Sequence, residues 1–94
     1  MPDPRLTLVT RRDCHLCEEM AAVIRLVTAS VPASVETLDV DADPELLARY
    51  SDQVPVLLVN GRRAFKYRVT AEELSRRLRA ERRRHRLRSL LGRG

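Results

Sequence analysis

Residues 5–17 read Arg5-Leu6-Thr7-Leu8-Val9-Thr10-Arg11-Arg12-Asp13-Cys14-His15-Leu16-Cys17, and the fold turns on them. Arg5 to Thr10 is β-branched and largely apolar, which predicts a strand. Arg11-Arg12-Asp13 is a polar break. From Cys14 to about Ala29 the pattern is helical, with Leu16, Met20, Val23, Ile24 and Val27 on one stripe. Glu18 and Glu19 stand in its first turns, where the helix dipole favours negative charge, and Pro32 lies past its end. The two cysteines therefore sit where a strand passes into a helix, Cys14 at the exposed helix N-terminus and Cys17 one turn deeper.

Downstream, Val35 to Val40 is a second strand candidate. Asp43-Pro44-Glu45 supplies an N-cap Asp and a Pro in the first helical position, so a short helix through Tyr50 follows. Pro55 to Val59 is almost wholly apolar, as a strand covered on both faces should be. Asn60-Gly61 signals a tight hairpin, and Arg63 to Val69 is the expected fourth strand. Thr70-Ala71-Glu72-Glu73 is a capping box that opens a last helix, with Leu74 and Leu78 facing the core. The order β-α-β-α-β-β-α predicts an α/β fold: a four-stranded mixed sheet with helices on both faces.

Length and composition set the bounds. Ninety-four residues allow one small domain, and 44% hydrophobic residues suit a globular chain. No apolar run is long enough to span a bilayer. Met1-Pro2-Asp3-Pro4 does not open a secretory signal, so a cytoplasmic location is expected. Two cysteines are too few for a disulfide scaffold. The net charge of +5 is unevenly spread: residues 1–75 carry nine Lys+Arg against twelve Asp+Glu, and residues 76–94 carry nine Arg against one Glu. The body of the chain is thus acidic by 3 and the end basic by 8, which weakens a nucleic-acid reading of the whole chain. The expected division is a domain over residues 1–80 and an Arg-rich extension over 81–94, helical or disordered.

Cys14-His15-Leu16-Cys17 is the constellation that carries chemistry. A Cys-x-x-Cys pair beside a βαβ pattern reads as a redox dithiol, and residues three apart on a helix are close enough for a disulfide. A thiolate is the nucleophile, and a free Cys titrates at about 8.5. Bringing Cys14 near 6.5 needs about 3 kcal/mol, of which the helix terminus supplies about 1–2 kcal/mol. Arg11 and Arg12 add positive charge nearby, and Asp13 opposes them. His15 between the cysteines either stabilises the thiolate or is a plain exposed side chain. Other readings of the pair are two small core residues, or a half-site for zinc or an iron–sulfur cluster completed across a dimer. Beyond the pair only His15 and His85 remain among Cys and His, and Glu18 stands where haem attachment needs His.

With Thr7–Thr10 leading into Cys14–Cys17, Val35–Asp41 as second strand and Gln53-Val54-Pro55-Val56 before the hairpin, the chain resembles the glutaredoxin-like branch of the thioredoxin superfamily over about residues 5–80. The resemblance implies a thioredoxin-like fold and thiol–disulfide oxidoreductase activity, with Cys14 as nucleophile and Cys17 as resolving thiol. It implies a cis Pro55 beside the cysteines, with the Val54 backbone offered to an extended substrate. Arg11 matches the family's basic residue near the glutathione carboxylate. The chain departs from the family in carrying His15-Leu16 between the cysteines and Phe65-Lys66-Tyr67-Arg68-Val69-Thr70 in place of a Gly-Gly before the last helix. Thr70 and Ala71 can still offer N–H groups to a carboxylate.

The expected partners are protein or small-molecule disulfides, for a monomer with no resident cofactor. The reductant is glutathione, another low-molecular-weight thiol or a reductase. The rival reading is a binding module whose basic end, with Leu87, Leu90 and Leu91 at helical spacing, meets an acidic protein, nucleic acid or a membrane surface. Tyr50, Phe65 and Tyr67 are expected to pack. Arg62, Arg63 and Lys66 are expected to form a solvated edge.

Overall fold

The computed structural model describes residues 3–92. Its elements are β1 (Arg5–Thr10), α1 (His15–Thr28), β2 (Ser34–Asp39), a 3₁₀ turn (Val40–Ala42), α2 (Pro44–Tyr50), β3 (Val56–Val59), β4 (Arg62–Lys66) and α3 (Ala71–Leu91). The sheet order is β2-β1-β3-β4, with β1 and β2 parallel and the other pairs antiparallel.

Alternation along the central strands divides the core between two faces. Leu6, Leu8, Leu57 and Val59 join Met20, Ile24 and Val27 of α1 and Leu74 and Leu78 of α3. On the other face Val9 and Val56 join Val40, with Leu46 and Tyr50 of α2 packed against them. Burial of Leu74 and Leu78 contributes about 1.5–3 kcal/mol each and anchors the first turns of α3 to the sheet. The α1 stripe is as expected at Met20, Ile24 and Val27. Leu16 is half-buried, with Cys17 taking the innermost place in the first turn, and Val23 is half-buried at the edge of the same cluster.

Local signals are realised where a single turn decides them. Asp43 caps α2 by accepting from the Glu45 N–H at 2.8 Å, and Pro44 follows it. Asn60 and Gly61 both take positive φ, 51° and 82°, which turns β3 directly into β4. The Asn60 side chain also accepts from the Arg5 N–H at 2.9 Å, tying the hairpin to the start of β1.

Two strand ends differ from expectation. β2 ends at Asp39, and Val40 is buried as the first residue of the 3₁₀ turn. β4 runs from Arg62 to Lys66 and not to Val69, because Tyr67 at φ 70° turns the chain out of the ladder. α3 is continuous to Leu91, so the extension is helical over its described residues, and Arg93 and Gly94 lie outside them. The boundary expected at residue 80 falls inside this helix. Contacts with the body continue beyond it: Arg82 Nη1 donates to Asp3 Oδ1 at 3.0 Å and to the Pro32 carbonyl at 3.4 Å.

Candidate functional site

The site is built at the C-terminal end of β1. Between Thr10 and α1 the chain turns at Asp13, which takes φ 57°, a conformation short polar side chains tolerate. Cys14 is then extended (φ −111°, ψ 108°) and is the N-cap of α1. Its Sγ occupies the place of a capping oxygen, accepting from the Cys17 N–H at 3.2 Å. Cys14 and Cys17 are joined by a disulfide, with their Cα atoms 5.2 Å apart. Cys17 is 4% exposed and Cys14 is half-buried, so Cys14 is the accessible member of the pair.

The Val54–Pro55 peptide bond is cis, Pro55 is buried and Val54 packs against the Val9–Val40–Val56 cluster. Val56 pairs with Val9, so Val54 and Pro55 lie beyond the last pair, at the end of the sheet from which Cys14 departs.

Arg11 is held elsewhere. Its Nε and Nη2 donate to the two carboxylate oxygens of Asp41 at 3.0 and 3.2 Å, and Nη1 donates to the Ser51 carbonyl at 2.7 Å. The hydrogen bond to Asp41 holds its guanidinium protonated even above the usual arginine range. The charge expected to support Cys14, or a thiol's carboxylate, is paired by Asp41 thirty residues away. Arg12 is exposed. His15 is 84% exposed along its side chain, with Nε2 3.6 Å from Glu19 Oε1, so the imidazole lies along the outer surface of α1.

Thr70 caps α3. Its N–H, expected to be open to a carboxylate, donates to Glu73 Oε1 at 2.9 Å. That hydrogen bond is the main cause that holds the Glu73 carboxyl below its ordinary value. Thr70 and Glu73 line a groove of about 310 Å³ together with Tyr67 and with Glu19, Met20 and Val23 of α1. Tyr67 was expected to pack in a strand. Its positive φ instead takes it out of the strand; it borders this groove, and its hydroxyl donates to the Asp52 carbonyl at 3.2 Å. No spacing in the sequence announces that reversal, because residues 63–69 keep a strand-like alternation.

Among the described residues no three His, Cys, Asp or Glu side chains converge as metal ligands. None of the described helices is long and apolar enough to cross a membrane.

A four-stranded mixed sheet with a Cys-x-x-Cys disulfide at the first strand-to-helix junction defines a thioredoxin-like domain. The structure is similar to the solution structure of protein Ne2328 from Nitrosomonas europaea, with a TM-score of 0.73 and 28% identity over 83% of this chain and 94% of that one. It is similar to reduced desulfothioredoxin from Desulfovibrio vulgaris Hildenborough, with a TM-score of 0.64 and 25% identity over 84% and 81% of the two chains. In sequence it is 31% identical to the uncharacterized protein Rv0508 of Mycobacterium tuberculosis over 67 residues, 66% of this chain and 69% of that relative. Residues 5–79 match the Glutaredoxin-like domain (DUF836), and the chain belongs to that family. Family, fold and cysteine pair together support a redox role.

Proposed function

We propose that the protein is a thiol–disulfide oxidoreductase in which Cys14 is the nucleophile and Cys17 the resolving thiol. The observation that carries this reading is the asymmetry of the pair: Cys14 is accessible at a helix N-terminus and accepts the Cys17 N–H, while Cys17 is buried behind it. In the reduced protein that N–H and the helix dipole stabilise a Cys14 thiolate.

The Cys14 thiolate attacks one sulfur of a substrate disulfide. A Cys14–substrate bond forms, the substrate S–S bond breaks and one substrate thiolate leaves. The Cys17 thiolate then attacks Cys14 Sγ, releasing the second substrate thiolate and forming the Cys14–Cys17 disulfide. Two electrons pass from the dithiol to the substrate, and the released thiolates take up protons from water. A protein substrate pairs its extended backbone with Val54 beside Pro55. Glutathione, another low-molecular-weight thiol or a dithiol reductase reverses the sequence to restore the dithiol. The protein acts as a monomer in the cytoplasm without a resident cofactor.

Cys17→Ser should accumulate a mixed disulfide with a substrate protein, and Cys14→Ser should lose turnover. Full multiple turnover by Cys14→Ser overturns the reading.

A further inference from the structure

The Glutaredoxin-like match ends at residue 79, while α3 continues to Leu91. Leu87, Leu90 and Leu91 on that continuation are 58%, 68% and 80% exposed. At about 100° per residue Leu87, nine residues after the buried Leu78, lies about 180° round the helix from it, and Leu90 and Leu91 stand within about 60° of Leu87. The leucines therefore face away from the body, which cannot cover them. Arg86 and Arg88 stand about 100° to either side of Leu87, and Arg83 and Arg84 precede it by one turn.

We infer that the C-terminal part of α3 docks on an anionic phospholipid surface. The leucines enter the interface, and the flanking arginines extend along it to hold their guanidinium groups among the headgroup phosphates. Charge complementarity selects this occupant. Residues 76–94 carry nine Arg and one Glu, so a second copy of the same helix would be repelled. Nucleic acid would match the arginines but leave the leucines against phosphate, and residues 76–94 contain no Phe, Tyr or Trp for base stacking. The acidic body, with three more Asp+Glu than Lys+Arg in residues 1–75, is held off the same surface.

Docking leaves the disulfide free. Asp3, Arg5 and Asn60 line one depression with His85 and Arg88, so this part of α3 lies at the Arg5 end of β1, whereas Cys14 follows the Thr10 end. The 21 residues of α3 span about 31 Å, with Thr70 at the disulfide end.

The test is sedimentation of the full chain with phosphatidylcholine vesicles, with and without a quarter of phosphatidylglycerol, in about 0.15 M salt. Binding should be at least about tenfold stronger to the anionic vesicles and weaken as salt is raised. Replacing Leu87, Leu90 and Leu91 together by Ser should reduce it at least about tenfold, with an unchanged melting temperature. Reduction of the Cys14–Cys17 disulfide by dithiothreitol should proceed at the same rate on and off the vesicles. Equal binding to neutral vesicles, no binding to anionic ones, or undiminished binding by the serine variant overturns the proposal. So does salt-sensitive binding to duplex DNA or polyglutamate that survives the leucine replacements while the vesicles sediment nothing.

Discussion

Thr70 and Glu73 close on each other at the start of α3: the Glu73 N–H donates to Thr70 Oγ1 at 3.0 Å, and the Thr70 N–H donates to Glu73 Oε1 at 2.9 Å. Two donors at the helix entrance are satisfied within the chain. The next turns carry Leu74 and Leu78 into the core, so fraying here is transmitted to packing. Thr70→Ala should destabilise the fold by about 1 kcal/mol, a fall of about 4–8 °C in melting temperature for a domain of this size. Calorimetry that finds no fall would show that the reciprocal bonds add nothing over water.

The same contact makes stability depend on acid. Hydrogen bonding to Thr70 lowers the Glu73 carboxyl from its ordinary 4.5. A carboxyl lowered on folding contributes stability that is complete above the unfolded value and is lost as pH falls through the folded one. Wild type should therefore exceed Glu73→Gln in urea midpoint by a constant margin from about pH 6 to 8, and the margin should shrink below 4.5. A margin that persists undiminished at about pH 2 would rule out the charge as its source.

Glu73 also bears on the choice of reductant. Its carboxylate already takes the Thr70 N–H, so an anionic thiol entering the groove beside Tyr67 meets like charge. Glu73→Gln should speed reduction of the Cys14–Cys17 disulfide by glutathione about two- to fivefold and leave the rate with neutral 2-mercaptoethanol unchanged. Equal acceleration of both thiols would point to a loosened helix end rather than a relieved charge.

What was legible in the sequence is what one turn of chain determines. Asp43-Pro44, Asn60-Gly61 and Thr70–Glu73 each satisfy or bend their own backbone, and each appears where its residues predict. The disulfide belongs with them, because three residues of helix bring Cys14 and Cys17 together. The pairing of Arg11 with Asp41 joins residues thirty apart through the crossover, and nothing local to Arg11 distinguishes it from Arg12. Tyr67 fits the alternation of β4, yet its N–H goes to the Pro55 carbonyl at 2.8 Å and its φ ends the strand, a choice made by β3 and the chain beyond it. The end of the apolar stripe near residue 80 left the extension helical or disordered, and the helix continues because nothing in residues 81–91 stops it: there is no Pro or Gly before Gly92.

Arg11 is predicted to support the fold and not the thiolate. With Asp41 and Ser51 holding all three of its nitrogens, removing it should release the link between the β1–α1 loop, the 3₁₀ turn and the end of α2. Arg11→Gln should lower the melting temperature while moving the pH midpoint of Cys14 alkylation by less than about half a unit. An upward move of a full unit with unchanged melting would return Arg11 to the thiol.

Truncation should separate the part of the extension that belongs to the body from the part that does not. Arg82 reaches Asp3 and the Pro32 carbonyl, and Glu81 Oε1 accepts from Arg77 Nε at 3.2 Å. A chain ending at Arg86 keeps these contacts with one helical turn beyond Arg82 to hold them, and should melt within about 2 °C of the full chain. A chain ending at Ala80 loses them. Because Arg82 and Asp3 are both more than a third exposed, their ion pair is discounted for screening, and the combined loss should be about 1 kcal/mol, or about 4–8 °C. Both truncated chains should still form the Cys14–Cys17 disulfide, since it lies at the other end of the sheet. Identical melting of the two would place the edge of the body before Glu81, and equal destabilisation of both would carry it past Arg86.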